Sequence, residues 1–141
     1  WTDAKTALER ALALKSDYLP GHLNLARCLL QLDSLKQAVK EYQEVIKLAD
    51  TATSRFRSEV GEAKGIIGLS FLLEKKYPQA IELLIASVQL RGDNPQTHLW
   101  LAQALALSNK REEAAKEYKK VLKLDPKNKD AKKGLEILDI R

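Results

Sequence analysis

The chain has 141 residues, of which 45% are hydrophobic and 30% are charged, and its formal net charge is +5. These values are typical of one soluble helical domain that is long enough to bury a sizeable core. A membrane-spanning segment is excluded, because no apolar stretch approaches the ~20 residues that such a helix needs. The single cysteine, Cys28, cannot form an internal disulfide, and we expect it to be a buried thiol. The compartment stays unassigned, with the cytoplasm favoured.

Apolar residues recur at helical spacing along almost the whole chain, and no stretch of strand length alternates with a period of two. The pattern therefore predicts an all-α protein. In chain order, the predicted helices are 2–14, 19–31, 35–48, 52–74, 78–91, 95–107, 111–124 and 128–139. Residues that terminate or cap helices support the boundaries, since Gly92 ends one helix while Asn94 and Pro95 suit the N-cap and first position of the next.

A repeat organises these helices. Segments of similar pattern begin at Ala4, Ala38, Ala80 and Ala114, at intervals of 34, 42 and 34 residues. A fixed period of this size indicates stacked supersecondary units, and 34 residues is the period of a helix–turn–helix repeat. Such stacks expose long concave surfaces and form few reactive pockets, so the period favours binding over catalysis.

The last unit has a small residue at repeat position 8 (Ala102), alanine at position 20 (Ala114) and proline at position 32 (Pro126). In these positions the chain resembles the tetratricopeptide repeat (TPR) family. The resemblance implies an all-α, right-handed TPR solenoid of antiparallel helix pairs that forms a single domain, 1–141. Its predicted parts are the second helix of a partial repeat (1–17), full repeats (19–52, 61–94 and 95–128), a helical extension (53–60) and a C-terminal capping helix (129–141). Because the chain has no Met and begins inside a repeat, we expect it to be a fragment of a longer protein.

The 42-residue interval contains eight extra residues, 53–60. Eight residues are close to two helical turns (~7.2 residues), so a helical insertion would preserve the facing of the following helix. Phe56, Val60 and Ala63 belong to a continuous apolar stripe, which predicts an N-terminal extension of that helix. A disordered loop is the alternative.

The end of the chain is expected to cap the stack. Each repeat leaves an apolar flank that only a neighbour can cover. Leu135, Ile137 and Leu138 lie on a short amphipathic helix that fits this role. Gly134 should weaken the helix by ~1 kcal/mol relative to alanine.

No motif supports catalysis. His22 and His98 both occupy position 4 of their repeats, and the helix steps of ~8–10 Å between them prevent a shared metal or proton, so we expect both to be packing residues. The chain has no Cys/His cluster with zinc spacing, no GxGxxG and no P-loop. The sequence therefore predicts no enzymatic activity, no cofactor and no metal.

The positive charge is concentrated in one region, because residues 108–133 carry +5 while residues 1–107 carry only +1. Eight lysines of this region form a basic patch: Lys116, Lys119, Lys120, Lys123, Lys127, Lys129, Lys132 and Lys133. A solvated face is favoured, and the alternatives are an acidic partner surface or nucleic acid, to which such lysines could bind by neutralising phosphates. Nucleic acid is disfavoured because Tyr118 falls on a packing position, which leaves no interleaved aromatic for base stacking.

In TPR folds, the first helix of each unit lines the inner face. Carried onto this chain, the resemblance implies a partner-binding groove made of Leu23, Asn24, Arg27, Gln31, Glu62, Ile66, Leu69, Leu73, Gln96, Leu99, Trp100 and Gln103. This lining is unusually apolar, and Trp100 is the candidate hot spot. TPR proteins that grip the C-terminal carboxylate of heat-shock chaperones use a Lys/Asn/Arg clamp, of which only Arg27 is cationic here, so that ligand is not expected.

The function predicted from the sequence is a non-enzymatic protein–protein interaction scaffold that binds an apolar or amphipathic segment of a partner protein in its concave groove. Two alternatives stay open. The chain could be a docking or regulatory TPR module of a larger enzyme or assembly complex. It could also bind an acidic surface or nucleic acid through the C-terminal lysines.

Overall fold

The computed structural model describes residues 1–49 and 53–139, and within them it contains α-helices, one short 3₁₀ helix and no strand. The helices are α1 (Thr2–Leu14), α2 (Leu19–Gln31), α3 (Leu35–Ala49), α4 (Arg57–Leu73), α5 (Tyr77–Leu90), α6 (Pro95–Leu107), α7 (Arg111–Leu124) and α8 (Lys129–Asp139). The all-α prediction is confirmed. Seven of the eight predicted helices start and end within one residue of those observed, and the exception is the helix predicted over 52–74, whose start differs.

The helices stack in chain order as a solenoid. The pairs α2–α3, α4–α5 and α6–α7 make the densest contacts, and each pair also packs on the next one. Helix α1 packs on α2, and α8 packs on α7. The buried side chains form two apolar clusters, one contributed by α1–α4 and the other by α4–α8, and Phe71 of α4 contacts both. Helix α4 therefore joins the two halves of the core.

Small residues lie where the two helices of each pair cross. The alanines Ala26, Ala38, Ala102 and Ala114 have no solvent exposure. In the middle pair the corresponding residue is Gly68, where a Cβ atom would lie 2.8 Å from Leu84 Cγ. Helices α4 and α5 consequently approach more closely than an alanine at this position would allow. Ala4 of α1, which occupies the same repeat position as Ala38, is exposed because no helix in the described ranges covers that side of α1.

The turn inside each pair has one repeated geometry. Asp33, Lys75 and Asn109 all occupy repeat position 15 and have φ values of 56°, 61° and 62°, in the left-handed region. The next residue closes the turn by donating its backbone N–H to a carbonyl five residues earlier, at 2.8–2.9 Å in each case. This 6→1 bond ends the first helix and reverses the chain direction.

The segment before α4 differs in detail from the predicted helix over 52–74. Residues 53–56 form a 3₁₀ helix, and α-helical geometry begins only at Arg57. Phe56 and Val60 pack, half-buried, against the first core cluster, as the apolar stripe suggested. The predicted end of the first full repeat at residue 52 lies outside the described residues, as do residues 140–141 of the predicted cap.

Helix α8 packs on the last repeat through Ala131, which has no solvent exposure, and through the half-buried Leu135 and Leu138. Gly134 meets the aromatic ring of Tyr118 so closely that a Cβ atom would overlap the ring carbons. Besides its cost in helix propensity, this glycine therefore has a packing role, because the missing side chain is what admits the ring.

We predict that Gly134→Ala lowers the free energy of unfolding by about 1–3 kcal/mol, because overpacking against Tyr118 outweighs the better helix propensity of alanine. Urea unfolding followed by circular dichroism measures this difference. Lys133→Ala is the control, since Lys133 is exposed on the same helix and should change stability by no more than about 0.5 kcal/mol. A Gly134→Ala protein more stable than wild type would show that propensity dominates.

Candidate protein-binding groove

The first helices of the pairs, α2, α4 and α6, lie side by side and carry all of the predicted groove residues. Two of these residues are not available to a partner. Leu23 and Leu99 are only 6% and 3% exposed and pack inside the two core clusters. Both occupy repeat position 5, which is turned toward the neighbouring helices. The prediction that they line the groove is therefore wrong.

The N-terminal half of the groove is polar, and Arg27 is ion-paired within it. Arg27 of α2 forms a bidentate ion pair with Glu62 of α4, with Nε–Oε1 and Nη2–Oε2 distances of 2.9 and 2.6 Å. Tyr42 of α3 donates its hydroxyl hydrogen to the same carboxylate at 2.8 Å, and Nη1 of Arg91, the residue after α5, lies 3.7 Å from Glu62 Oε2. Asn24, Gln31 and Gln96 are exposed on the same surface.

Glu62 is ionised in this network. Burial raises the pKa of its carboxyl group, but the hydrogen bonds from Arg27 and Tyr42 more than offset that effect and leave the pKa below 4.5. Burial and the neighbouring Glu62 charge raise the pKa of Tyr42, which stays a neutral donor. The charge of Arg27 is therefore already paired within the protein. Among the positions that correspond to the carboxylate clamp of chaperone-binding TPR proteins, Arg27 is the one basic residue, so none of these positions offers an unpaired cation.

The C-terminal half of the groove contains a cleft of about 940 Å³, which we name the α8 cleft because α8 forms one of its walls. Its apolar walls are Leu69, Leu73, Trp100, Leu107, Ile137 and Leu138. Leu73, Leu107 and Ile137 are 64%, 60% and 53% exposed, so three large apolar side chains from three helices are open to solvent around one cleft. Clustered exposure of this kind marks interaction sites, unlike apolar residues scattered singly.

Four of the predicted groove residues, Leu69, Leu73, Trp100 and Gln103, come together in the α8 cleft. Ile66 does not line it and packs against the first core cluster instead.

Other residues of the cleft were absent from the predicted site. Leu107 occupies repeat position 13, as Leu73 does, and the repeat register places it on the inner face, although the predicted site does not include it. The sequence predicts Ile137 and Leu138 only as residues of the capping helix. Lys75, in the turn after α4, has no sequence feature that distinguishes it from other surface lysines.

The comparisons with known proteins agree with this architecture. A family model described as tetratricopeptide repeat matches residues 1–58 and 71–136. The chain belongs to the tetratricopeptide repeat family. Among curated proteins, none matches the sequence significantly.

Solved TPR structures share the fold at low sequence identity. MamA from Desulfovibrio magneticus RS-1 is 20% identical with a TM-score of 0.79, and the match covers 99% of this chain and 75% of that one. The TPR domain of Arabidopsis OM64 is 20% identical with a TM-score of 0.70, covering 86% and 94%. The second TPR domain of human RPAP3, solved in complex with an HSP70 peptide, is 19% identical with a TM-score of 0.66, covering 84% and 92%. The TPR solenoid inferred from the repeat period is thus confirmed.

The basic patch lies on α7, on α8 and in the turn that connects them. Its lysines on α7 and α8 and in the connecting turn are exposed, and Lys120 Nζ forms an ion pair with Glu117 at 2.8 Å. Tyr118, the aromatic residue among them, is 5% exposed and belongs to the core. The patch therefore offers charge without a stacking surface.

The two histidines form matching buried hydrogen bonds in their TPR units. His98 Nδ1 lies 2.7 Å from Glu117 Oε2, and Nε2 lies 2.9 Å from the Gly92 carbonyl oxygen. His22 repeats the arrangement with Glu41 and the Ser16 carbonyl, both at 2.6 Å. Each imidazole spans from its own helix to the preceding turn and to the paired helix, which is a structural role.

The surroundings of each ring favour the protonated form. The hydrogen bond to Glu117, helped by the Gly92 carbonyl, raises the pKa of His98 above 6.5 despite burial. Burial lowers the pKa of His22, but its bonds to Glu41 and Ser16 outweigh that effect, so the net shift is again upward. In the imidazolium form both ring N–H groups donate, and each has an acceptor in place.

The described residues contain no metal-binding cluster and no membrane-spanning helix. Within residues 1–49 and 53–139, no group of three or more His, Cys, Asp or Glu side chains is arranged to hold a metal ion. Across the same ranges, no helix combines the length and apolar character needed to cross a membrane. Cys28 is buried, as its repeat position indicated.

We predict that the protein is less stable in mild alkali than at slightly acidic pH. A histidine pKa that is higher in the folded state gives stabilisation that is complete below 6.5 and is lost as pH rises through the folded value. The free energy of unfolding, measured by urea titration, should therefore fall between about pH 6 and pH 9.

The double variant His22→Gln/His98→Gln is the matched control for this pH dependence. It lacks both titrating rings, so its unfolding free energy should be lower than that of wild type at about pH 6 and nearly flat up to about pH 9. A wild-type profile without a decline, or an equal decline in the variant, would contradict the assignment to these rings.

Proposed function

We propose that this TPR solenoid is a non-enzymatic protein-interaction scaffold and that its concave face binds an apolar or amphipathic segment of a partner protein. The observation that carries the proposal is the exposure of Leu73, Leu107 and Ile137 around one cleft on that face. The RPAP3 domain of the same fold binds an HSP70 peptide, which supports a peptide or protein segment as the ligand class.

Trp100 is the proposed anchor contact within this surface. It lines the α8 cleft and is half-buried, with its inner side against the second core cluster. A large aromatic side chain that the core holds in place loses little conformational entropy on binding, and tryptophan is enriched among hot-spot residues. Neighbouring apolar residues from α4 and α8 would exclude water from its contact with a partner.

We predict that Trp100→Ala weakens binding of a partner segment by about 30-fold or more, which corresponds to roughly 2 kcal/mol. The ligand is a fluorescently labelled peptide isolated by wild-type protein from a displayed library of random peptides. Fluorescence polarisation gives the affinity. Thermal unfolding of the variant, recorded in parallel, separates lost contact from lost structure.

Ile85→Ala is the control, because Ile85 is 40% exposed on α5 and lies outside the α8 cleft. It should bind the peptide as wild type does. Unchanged affinity of Trp100→Ala would refute the anchor role. Loss of cooperative unfolding in that variant would show that Trp100 acts mainly as a core residue.

A further inference from the structure

We propose that the α8 cleft is the specific binding site within the concave groove and that its ligand is an acidic amphipathic segment of another protein. In such a segment, bulky apolar side chains would fill the cleft while an adjacent Asp or Glu would meet its basic rim. This inference rests on the proposed scaffold function and adds the location of the site and the charge of the partner.

The cleft is a site with three helical walls. Leu73 from α4, Leu107 from α6 and Ile137 from α8 stand around its opening, while Trp100 lies between them on α6. Because α8 follows the last full repeat, it takes the place that the first helix of a further repeat would have on the concave side. The cleft accordingly exists only when α8 is docked.

The docking of α8 is secured from the cleft side. Arg111, at the start of α7, donates a hydrogen bond from Nη2 to the backbone carbonyl of Leu138. Gly134 allows α8 to approach Tyr118, and both of these residues also line the cleft. Two of the contacts that hold the capping helix thus also shape the cleft wall.

The charge of the cleft indicates the chemistry of its ligand. Lys75 and Arg111 lie among the lining residues, and no Asp or Glu of the described chain does. Neither cation has an ion-pair partner among the residues that the structure describes, and the acceptor of Arg111 is a neutral carbonyl. An apolar cleft with uncompensated positive charge at its edge favours a ligand that combines apolar and anionic groups.

The N-terminal half of the groove differs from the α8 cleft in its charge pairing. There, Glu62 forms a bidentate ion pair with Arg27 and accepts a hydrogen bond from Tyr42, so the charge of Arg27 is already paired without a ligand. A carboxylate that approached Arg27 would have to displace Glu62 from a bidentate pair. The acidic group of a partner is therefore expected at the α8 cleft and not at the N-terminal half.

The test compares the peptides that wild type and two charge-reversal variants select from a displayed library of random short peptides. Lys75→Glu places a negative charge on the rim of the cleft. Lys76→Glu is its matched control, because Lys76 is the next residue along the chain and is exposed, but does not line the cleft. Wild type and Lys76→Glu should both enrich peptides that contain bulky apolar residues together with Asp or Glu, whereas Lys75→Glu should lose the acidic preference.

The affinity of one selected peptide then locates the site. Fluorescence polarisation should show weakening of about tenfold or more for Lys75→Glu and at most about twofold for Lys76→Glu. Ile137→Ala should also weaken binding if α8 is a wall of the site, while the surface variant Ile85→Ala should not. Thermal unfolding of each variant confirms that α8 stays docked.

Each outcome decides a different part of the proposal. Selected peptides without acidic enrichment, or an equal effect of Lys75→Glu and Lys76→Glu, would overturn the charge assignment. Binding that ignores Ile137→Ala would overturn the α8 cleft as the site, although the scaffold function would stand. Self-association in analytical ultracentrifugation that Ile137→Ala abolishes would make a second copy the occupant. Failure of wild type to enrich any peptide would count against the scaffold function itself.

Discussion

The structure depends on the close approach of the two helices in each pair. Ala26 and Ala38 have no solvent exposure in one pair, and neither do Ala102 and Ala114 in another. Bulkier side chains at these points would push the helix axes beyond the ~8–10 Å at which ridges fit into grooves. The two helices of each pair pack against each other in the same way. The first helices therefore all lie on one side of the stack, and that side becomes the concave face.

In the middle pair, α4 and α5 approach each other through glycines, and this pair also connects the two halves of the molecule. Glycines of α4 lie against α5 at Gly61, Gly65 and Gly68, and Ser87 of α5 donates a 2.7 Å hydrogen bond to the Gly61 carbonyl. The same stretch of α4 carries Glu62 into the polar network with α2 and α3. Close packing and charge pairing thus fix α4 between the two core clusters, and the polar and apolar halves of the groove meet along this helix.

Helix α8 combines a stabilising role with a place in the candidate site. An amphipathic helix that only covered the last repeat would need one apolar face, toward α7. Here Ala131 and Leu135 face the core, while Ile137 is exposed on the concave side. The apolar residues on a second side of α8 are what convert the end of the stack into a cleft, so stability and the proposed binding function share one element.

The sequence by itself determined the repeat, the order of the helices and most of their ends, because periodicity, capping residues and small residues at fixed positions act locally. The resemblance to TPR repeats also predicts Leu69, Leu73, Trp100 and Gln103 as groove residues, and these four line the α8 cleft. Only the tertiary structure decided that Leu23 and Leu99 are buried, that Glu62 neutralises Arg27 from 35 residues away, and that Gly134 accommodates Tyr118. These features depend on the distance and rotation between helices, which a period of 3.6 residues within each helix leaves unspecified.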